Sequence, residues 1–170
     1  SNRSSSSNTA MSIRLNGVDK TLFKSDGKIV FTTGSPGIQF GSSDTGTNIT
    51  SQTLDDYEEG TFTPILNVGS CTSNAYYTKI GSTVTLWLHL TTFTNRSSVS
   101  GIIITGLPFN NKTYGQAAGN CFGRYIGQDG LGNLCTYVSS NQLFIYETRN
   151  GDWLDISYND LTNASSTFYM

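Results

Sequence analysis

Four carboxylates lie close together in this 170-residue chain, because Asp55, Asp56, Glu58 and Glu59 flank Tyr57. Paired carboxylates, one protonated and one ionised, hydrolyse glycosidic bonds, and clustered carboxylate oxygens bind Ca²⁺. The surrounding residues are polar, so nothing in the sequence sets one carboxyl apart from its neighbours, and the spacing of a calcium loop is absent. We therefore expect solvated acidic groups that pair with Lys or Arg, while catalysis and calcium binding stay as alternatives.

Other residues suited to catalysis or metal binding are sparse. His89 is the only histidine, and no G-x-S-x-G motif accompanies it. Cys71, Cys121 and Cys135 are odd in number and lack C-x-x-C spacing. This pattern favours free thiols among apolar residues, with one disulfide plus a free thiol as the alternative. We predict no catalytic residue, no metal and no cofactor.

Aromatic rings and side-chain amides are abundant, and these groups recognise sugars, since rings stack on the apolar faces of sugars and amides bond their hydroxyls. Loops at the ends of β-sandwiches are where binding residues gather. The candidate ligand-binding residues on this basis are Trp87, His89, Asn110, Asn111, Tyr114, Tyr125, Gln128, Asp129, Asn150 and Trp153. For each ring, packing in the core or against a neighbouring subunit is the alternative.

The overall composition limits the function classes. Charged residues make up 13% of the chain, where about 25% is usual, and Ser, Thr and Asn together supply roughly a third. The formal net charge is -2 and Lys and Arg do not cluster, which argues against nucleic-acid partners. No apolar run approaches the roughly 18 residues of a membrane span, so we expect no membrane insertion.

Short runs in which apolar and polar residues alternate indicate the strands that position the candidate binding residues. In residues 83–91 Val and Leu alternate with Thr, Trp and His, which is the pattern of a half-buried strand. Asn150-Gly151 is a hairpin-turn signal, and further strands are predicted at 102–104, 121–126, 134–138, 143–147, 153–158 and 167–169. No segment shows helical periodicity with caps. About eight short strands with Gly, Asn and Ser turns predict an all-β, antiparallel, jelly-roll-like β-sandwich.

The N-terminal part has a different organisation. Residues 1–11 are Ser- and Asn-rich and predict a flexible linker. Residues 12–56 contain short apolar stretches separated by Asn16-Gly17, Asp26-Gly27 and Pro36-Gly37 turns, followed by a polar joint. Such strands have little to pack against in one chain, which favours a multi-chain β-rich stem; a hairpin packed on the main domain is the alternative. Residues 57–170 form the predicted head domain.

Three motifs in order carry a family resemblance. TLDDYEEGTFTP at 53–64, YYTKIGSTVTLWLHL at 76–90 and ITGLPF at 104–109, preceded by GIQFGSS at 37–43, resemble a module near the C-termini of bacteriophage tail fibres and related virion appendages. The resemblance covers residues 37–170. It implies a homotrimeric virion spike with a stem and a C-terminal head that contacts the host surface.

The functional expectation combines the chemistry of the candidate residues with the family resemblance. We expect a virion fibre protein whose head binds a bacterial surface glycan and whose N-terminal side contacts other virion proteins. A capsid or head-fibre decoration protein with an assembly role is the runner-up, and a polysaccharide-cleaving tailspike-like enzyme is third.

Overall fold

The computed structural model describes residues 9–31, 38–39, 53–54, 56–111, 115–127 and 132–170. These residues form antiparallel β-sheets, and the only helical element among them is a 3-10 turn at Tyr158–Asp160. The predicted all-β fold is therefore confirmed. In the described ranges no helix has the length and apolarity needed to cross a membrane.

The chain divides into two compact units, of which the first contains Ser1–Tyr57 and Ile80–Ser82. Its strands are β1 (Thr9–Leu15), β2 (Val18–Lys24), β3 (Ile29–Phe31), β4 (Ile38–Gln39) and β5 (Thr53–Leu54). β1, β2 and β3 form an antiparallel sheet, and β4 pairs with β5. The β1–β2 turn is Asn16-Gly17, with φ of 52° and 78°, as its sequence predicts. β1 begins at Thr9, so the last three residues of the range 1–11 predicted as a linker lie in a strand, and residues 1–8 lie outside the described ranges.

The three-stranded sheet has one strongly apolar face. The cross-strand pairs Met11 with Phe23, Leu15 with Val18, and Phe23 with Ile29 place their side chains on the same side. This apolar face comprises Met11, Ile13, Leu15, Val18, Phe23, Ile29 and Phe31, of which all but Phe23 are 43% to 62% exposed. The opposite face carries the ion pair between Arg14 Nε and Asp19 Oδ1, at 2.7 Å. The opposite face also holds the half-buried pair Leu22 and Val30, so it is the exposed apolar side chains that are concentrated on the first face.

The second unit contains Glu58–Lys79 and Thr83–Met170. The strands that build its sheets are β6 (Tyr57–Thr61), β7 (Ile65–Leu66), β8 (Thr72–Ile80), β9 (Thr83–Thr91), β10 (Ile103–Thr105), β11 (Ala117–Asn120), β12 (Phe122–Arg124), β13 (Asn133–Ser139), β14 (Gln142–Arg149), β15 (Asp152–Asp155) and β16 (Thr167–Tyr169). One sheet has the order β11-β13-β14-β10-β7, with β15 also paired to β14, and the other has the order β12-β16-β9-β8-β6.

One hydrophobic core joins the two sheets of the second unit. Leu88 and Leu90 of β9 and Phe168 of β16 contribute from the five-stranded sheet, while Ile104 and Ile145 contribute from the six-stranded sheet. All five side chains are at least 97% buried. The alternation predicted for 83–91 is confirmed, because β9 turns its leucines inward and leaves Trp87 half exposed.

Tyr158 is the largest fully buried side chain of this core. Its hydroxyl donates to Asn67 Oδ1 at 2.8 Å and accepts from the Val68 N–H at 3.3 Å. The amide of Asn67 also bonds the backbone of Gly101 and Ile103, at 3.0 Å each. A single phenol therefore connects the 3-10 turn to the loop after β7 and, through Asn67, to the region of β10.

Removing this hydroxyl is expected to destabilise the second unit. Tyr158→Phe leaves the Val68 N–H without its partner and should cost about 1 to 2 kcal/mol in the free energy of unfolding at pH 7. Burial raises the pKa of Tyr158 above its ordinary value, so the hydroxyl contributes stability below about pH 10 that is lost as pH rises through the folded-state pKa. Urea unfolding at pH 7 and pH 11 tests this, since the difference between wild type and variant should shrink at pH 11; a constant difference contradicts it.

Candidate functional site

The three sequence motifs meet in space. The Tyr77 hydroxyl, from the second motif, donates to the Glu58 carboxylate of the first. The Tyr77 ring packs edge-on against Phe109 of the third, with centroids 5.2 Å apart, and Lys79 Nζ lies 5.2 Å from the Phe109 centroid. The hydrogen bond to Glu58 is the main reason why the pKa of Tyr77 is raised. One residue of each motif therefore takes part in a single packed contact within the second unit.

Two glycines of these motifs occupy positions that a side chain would overfill. A Cβ on Gly60 would lie 2.7 Å from the Tyr77 ring, which covers it. A Cβ on Gly106 would lie 2.5 Å from the Thr63 carbonyl oxygen, and Gly106 has a φ of +76°. These positions explain the motif glycines by packing and backbone conformation.

The carboxylate cluster is spread over a strand. Glu58 and Glu59 are consecutive in β6, so their side chains point to opposite faces of the sheet and do not converge on one ligand within the chain. Asp56 precedes the strand, and its carbonyl accepts the Gly81 N–H at 2.7 Å. Asp55 lies outside the described residues. Elsewhere in the described ranges no group of three or more metal-ligating side chains comes together.

The outer face of the five-stranded sheet carries a continuous aromatic surface. Phe122, Tyr169 and His89 occupy one register position across β12, β16 and β9. The His89 and Tyr169 rings stack with centroids 4.6 Å apart and an interplanar angle of 3°, and Phe122 lies 6.4 Å from Tyr169. Trp87 follows on the same face of β9, two residues from His89. We call Phe122, Tyr169, His89 and Trp87 the aromatic row.

The aromatic row is accessible in the single chain. Phe122 is 67% exposed, and Trp87 and Tyr169 are each about half exposed. The intervening residues point inward: Phe168 is fully buried, and a Cβ on Gly123 would meet Leu134 and Ile126. Strand geometry thus separates the core side chains from a row of rings that face outward.

Tyr125 extends this surface from the end of β12. It adopts a left-handed backbone conformation with φ of 57°. Arg124 Cζ lies 4.6 Å from the Tyr125 ring centroid, and the Arg124 Nη2 donates to the Tyr125 hydroxyl at 2.8 Å. Because Arg124 and Phe122 share one face of β12, Tyr125 is linked to the aromatic row. Three of the predicted residues, Trp87, His89 and Tyr125, therefore lie on one side of one sheet.

Asn150 and Trp153 lie at a different place, the β14–β15 hairpin. A shallow cleft of about 510 Å³ is lined by Thr148, Arg149, Asn150, Gly151, Asp152 and Trp153. Trp153 also packs against Tyr137 and Tyr146, with centroids 5.3 Å and 5.1 Å away, on the outer face of the six-stranded sheet. Tyr137 and Tyr146 are half-buried, so these rings cover one another and leave less surface for a ligand than the aromatic row does.

The remaining predicted residues are not brought to either surface. Asn110 is exposed after the third motif, while Asn111 braces a loop: its amide donates to the Gly115 carbonyl, and its Oδ1 accepts from the Asn141 N–H at 2.8 Å. Tyr114, Gln128 and Asp129 lie outside the described residues. The sequence interpretation missed Phe122, Tyr169 and Arg124, because each lies in a strand of three residues, too short for alternation to show which side faces outward.

The cysteines are free thiols in this structure. Burial raises the pKa of Cys71 to about 11, and burial together with the nearby Cys135 raises the pKa of Cys121 to about 12. Only the thiolate reacts with alkylating agents.

We therefore expect native-state alkylation to be slow. At pH 8, Cys71 and Cys121 should react with iodoacetamide more than about tenfold slower than in urea, since the smaller thiolate fraction outweighs the higher nucleophilicity of a more basic thiolate. Their native rates should rise steeply between pH 8 and pH 10. Site-resolved mass spectrometry measures each rate, and equal native and denatured rates contradict the expectation.

Comparisons with protein-family models, with curated proteins and with solved structures gave no match to this chain. The arrangement of its side chains therefore carries the functional proposal.

Proposed function

We propose that this chain is the receptor-binding end of a homotrimeric bacteriophage fibre and that its second unit binds a bacterial surface glycan. The observation that carries the proposal is the aromatic row: four rings side by side on one sheet face, mostly about half exposed or more. Monomeric proteins rarely expose apolar surface of this kind without using it.

The chemistry of the row suits sugars. Exposed rings offer flat apolar faces for the C–H faces of pyranose rings, and the neighbouring side chains supply hydrogen bonds. The half-buried Thr91 places a hydroxyl beside the row, and His89 can donate or accept, whereas Thr167 is buried and donates its hydroxyl to the Ser165 carbonyl at 2.8 Å. The proposal is therefore one of binding and includes no reaction of the glycan.

The apolar face of the β1–β2–β3 sheet supports self-association. Six of its side chains are at least 43% exposed, whereas the opposite face carries the Arg14–Asp19 ion pair and the half-buried Leu22 and Val30. Identical copies that bring these faces together would bury them, as a multi-chain stem requires. Together with the motif resemblance to virion appendages, this supports localisation in the particle, with other virion proteins contacted through the N-terminal side.

Competition for host adsorption tests the proposal. The isolated chain should block adsorption of the virus that encodes it, and Trp87→Ala or Phe122→Ala should reduce blocking by about tenfold or more, because each removes a stacking ring. Val99→Ala, which truncates an 80% exposed residue outside the row, is the matched control and should block like wild type. Blocking that is absent, or unaffected by both ring variants, contradicts the proposal.

The decoration role remains the second candidate because of the Tyr137, Tyr146 and Trp153 contact, which leaves a second aromatic face suited to protein packing. Immunogold labelling of particles separates the two candidates: label at the fibre tip supports receptor binding, and label over the capsid supports decoration. Release of polysaccharide fragments that Glu58→Gln abolishes would instead support the tailspike-like enzyme.

A further inference from the structure

Arg124 lies at the end of the aromatic row, and its guanidinium is positioned by the neighbouring Tyr125. Its guanidinium lies over the Tyr125 ring and donates one N–H group to the Tyr125 hydroxyl. Arginine carries five N–H donors, so most of them stay available to a ligand. Within the described part of the chain, no carboxylate lies at ion-pair distance from Arg124, since the ion pairs found there are Arg14–Asp19 and Lys28–Asp26.

The backbone beneath this pair is held in a strained conformation. Tyr125 has a left-handed φ of 57°, which is costly for an aromatic residue. Its carbonyl accepts from the Thr162 N–H at 3.1 Å, from the Thr162 hydroxyl at 2.9 Å and from the Ser166 hydroxyl at 2.7 Å, the last shared with the Asn163 carbonyl at 2.8 Å. Ser166 is fully buried, so this anchor belongs to the folded body of the unit. The ring that positions Arg124 is thereby pre-organised.

Negatively charged side chains of this sheet are confined to β6, at the edge opposite β12. β9, β12 and β16, which carry the aromatic row, contain no Asp or Glu, although the chain as a whole has a net charge of -2. A cation that has no ion pair within the described residues, next to rings that stack on sugars, is complementary to a sugar that bears an anion.

We infer that the aromatic row and Arg124 together bind an acidic glycan, with the sugar rings on Phe122 and Tyr169 and a sugar carboxylate on the free edge of the Arg124 guanidinium. This inference rests on the proposed glycan binding and adds its chemical class. A planar carboxylate fits two parallel N–H groups of a guanidinium, so uronic and sialic acids are the expected sugars.

Matched glycan pairs test the charge requirement. Wild-type protein is applied to an array of immobilised uronic- and sialic-acid glycans, each beside its carboxyl methyl ester and a sulfated neutral glycan. Binding to acids should exceed binding to their esters by about tenfold or more, as expected for a charge-assisted hydrogen bond. Sulfated glycans that bind as well as the acids would show that any anion suffices and would overturn the carboxylate assignment.

Substitutions of Arg124 test its role in binding the sugar carboxylate. Arg124→Gln should lose about tenfold or more of the binding to acids and none of the binding to esters, while Arg124→Lys should keep a part. Arg96→Gln removes the same charge from an exposed loop and should bind like wild type. Thermal unfolding of each variant verifies its fold.

The outcomes separate this inference from the proposed function. Equal binding to acids and esters that still depends on Trp87 overturns the acidic class and leaves glycan binding intact. An Arg124→Gln protein that keeps its acid preference overturns the role of Arg124. Absence of binding to every glycan on the array, together with absent adsorption blocking, overturns both.

Discussion

Replacing Gly106 with alanine is expected to lower the free energy of unfolding of the second unit by about 3 kcal/mol or more. Two costs add at this position. The φ of +76° lies in the left-handed region that a residue with a Cβ avoids, and the new Cβ would meet the Thr63 carbonyl oxygen at 2.5 Å. Because the Cβ would meet a backbone atom, the clash can be removed only if the β6–β7 connection moves away from the loop after β10.

Gly151→Ala is the matched control for the conformational cost. Gly151 has a similar φ of +81°, but no atom lies within 4 Å of its would-be Cβ. Its replacement should therefore cost only about 1 kcal/mol. Urea unfolding at one fixed protein concentration measures both variants, since self-association would otherwise change the apparent stability. Equal losses for the two variants would mean that the Thr63 contact contributes nothing.

Much of the fold was predictable because its signals are local. β9 coincides with the predicted range 83–91, since alternation over nine residues reports which side faces the core. The Asn150-Gly151 turn adopts φ values of 54° and 81°, which Asn and Gly tolerate and most residues do not. Strand and turn chemistry of this kind needs no knowledge of distant contacts.

The candidate site was less predictable because it is assembled from distant segments. β12 has three residues, too few for alternation to stand out, so Phe122 and Arg124 carried no signal that they face outward beside Tyr169. The same limit applies to the interior of the unit. Glu147 lies in a predicted strand, but nothing local shows that the residue is 95% buried and that its Oε1 atom has no hydrogen-bond partner. Trp87 and His89 were predictable only as outward residues of one strand.

Disruption of the proposed trimer by one charge is the other large expected effect. Ile13 lies in the middle of the apolar face and is 53% exposed in the single chain. If copies bury this face against each other, Ile13→Glu places a carboxylate from each copy in the contact, where an unpaired charge costs several kcal/mol. We expect the wild-type chain to sediment at three times its 18.4 kDa mass and the variant to sediment as a monomer at micromolar concentration.

Ser12→Glu provides the control, because Ser12 is the preceding residue of β1 and therefore points to the opposite face, where it is exposed and pairs with Leu22. It adds the same charge in the same strand but should leave the assembly intact. Analytical ultracentrifugation of the three proteins distinguishes a buried apolar face from a general effect of negative charge. A wild-type monomer would overturn the trimeric part of the proposal, and dissociation by both variants would show that the contact does not follow the apolar face. Because Ile13 and Ser12 are neighbours on opposite faces of β1, comparing their Glu variants shows through which face copies of this chain associate.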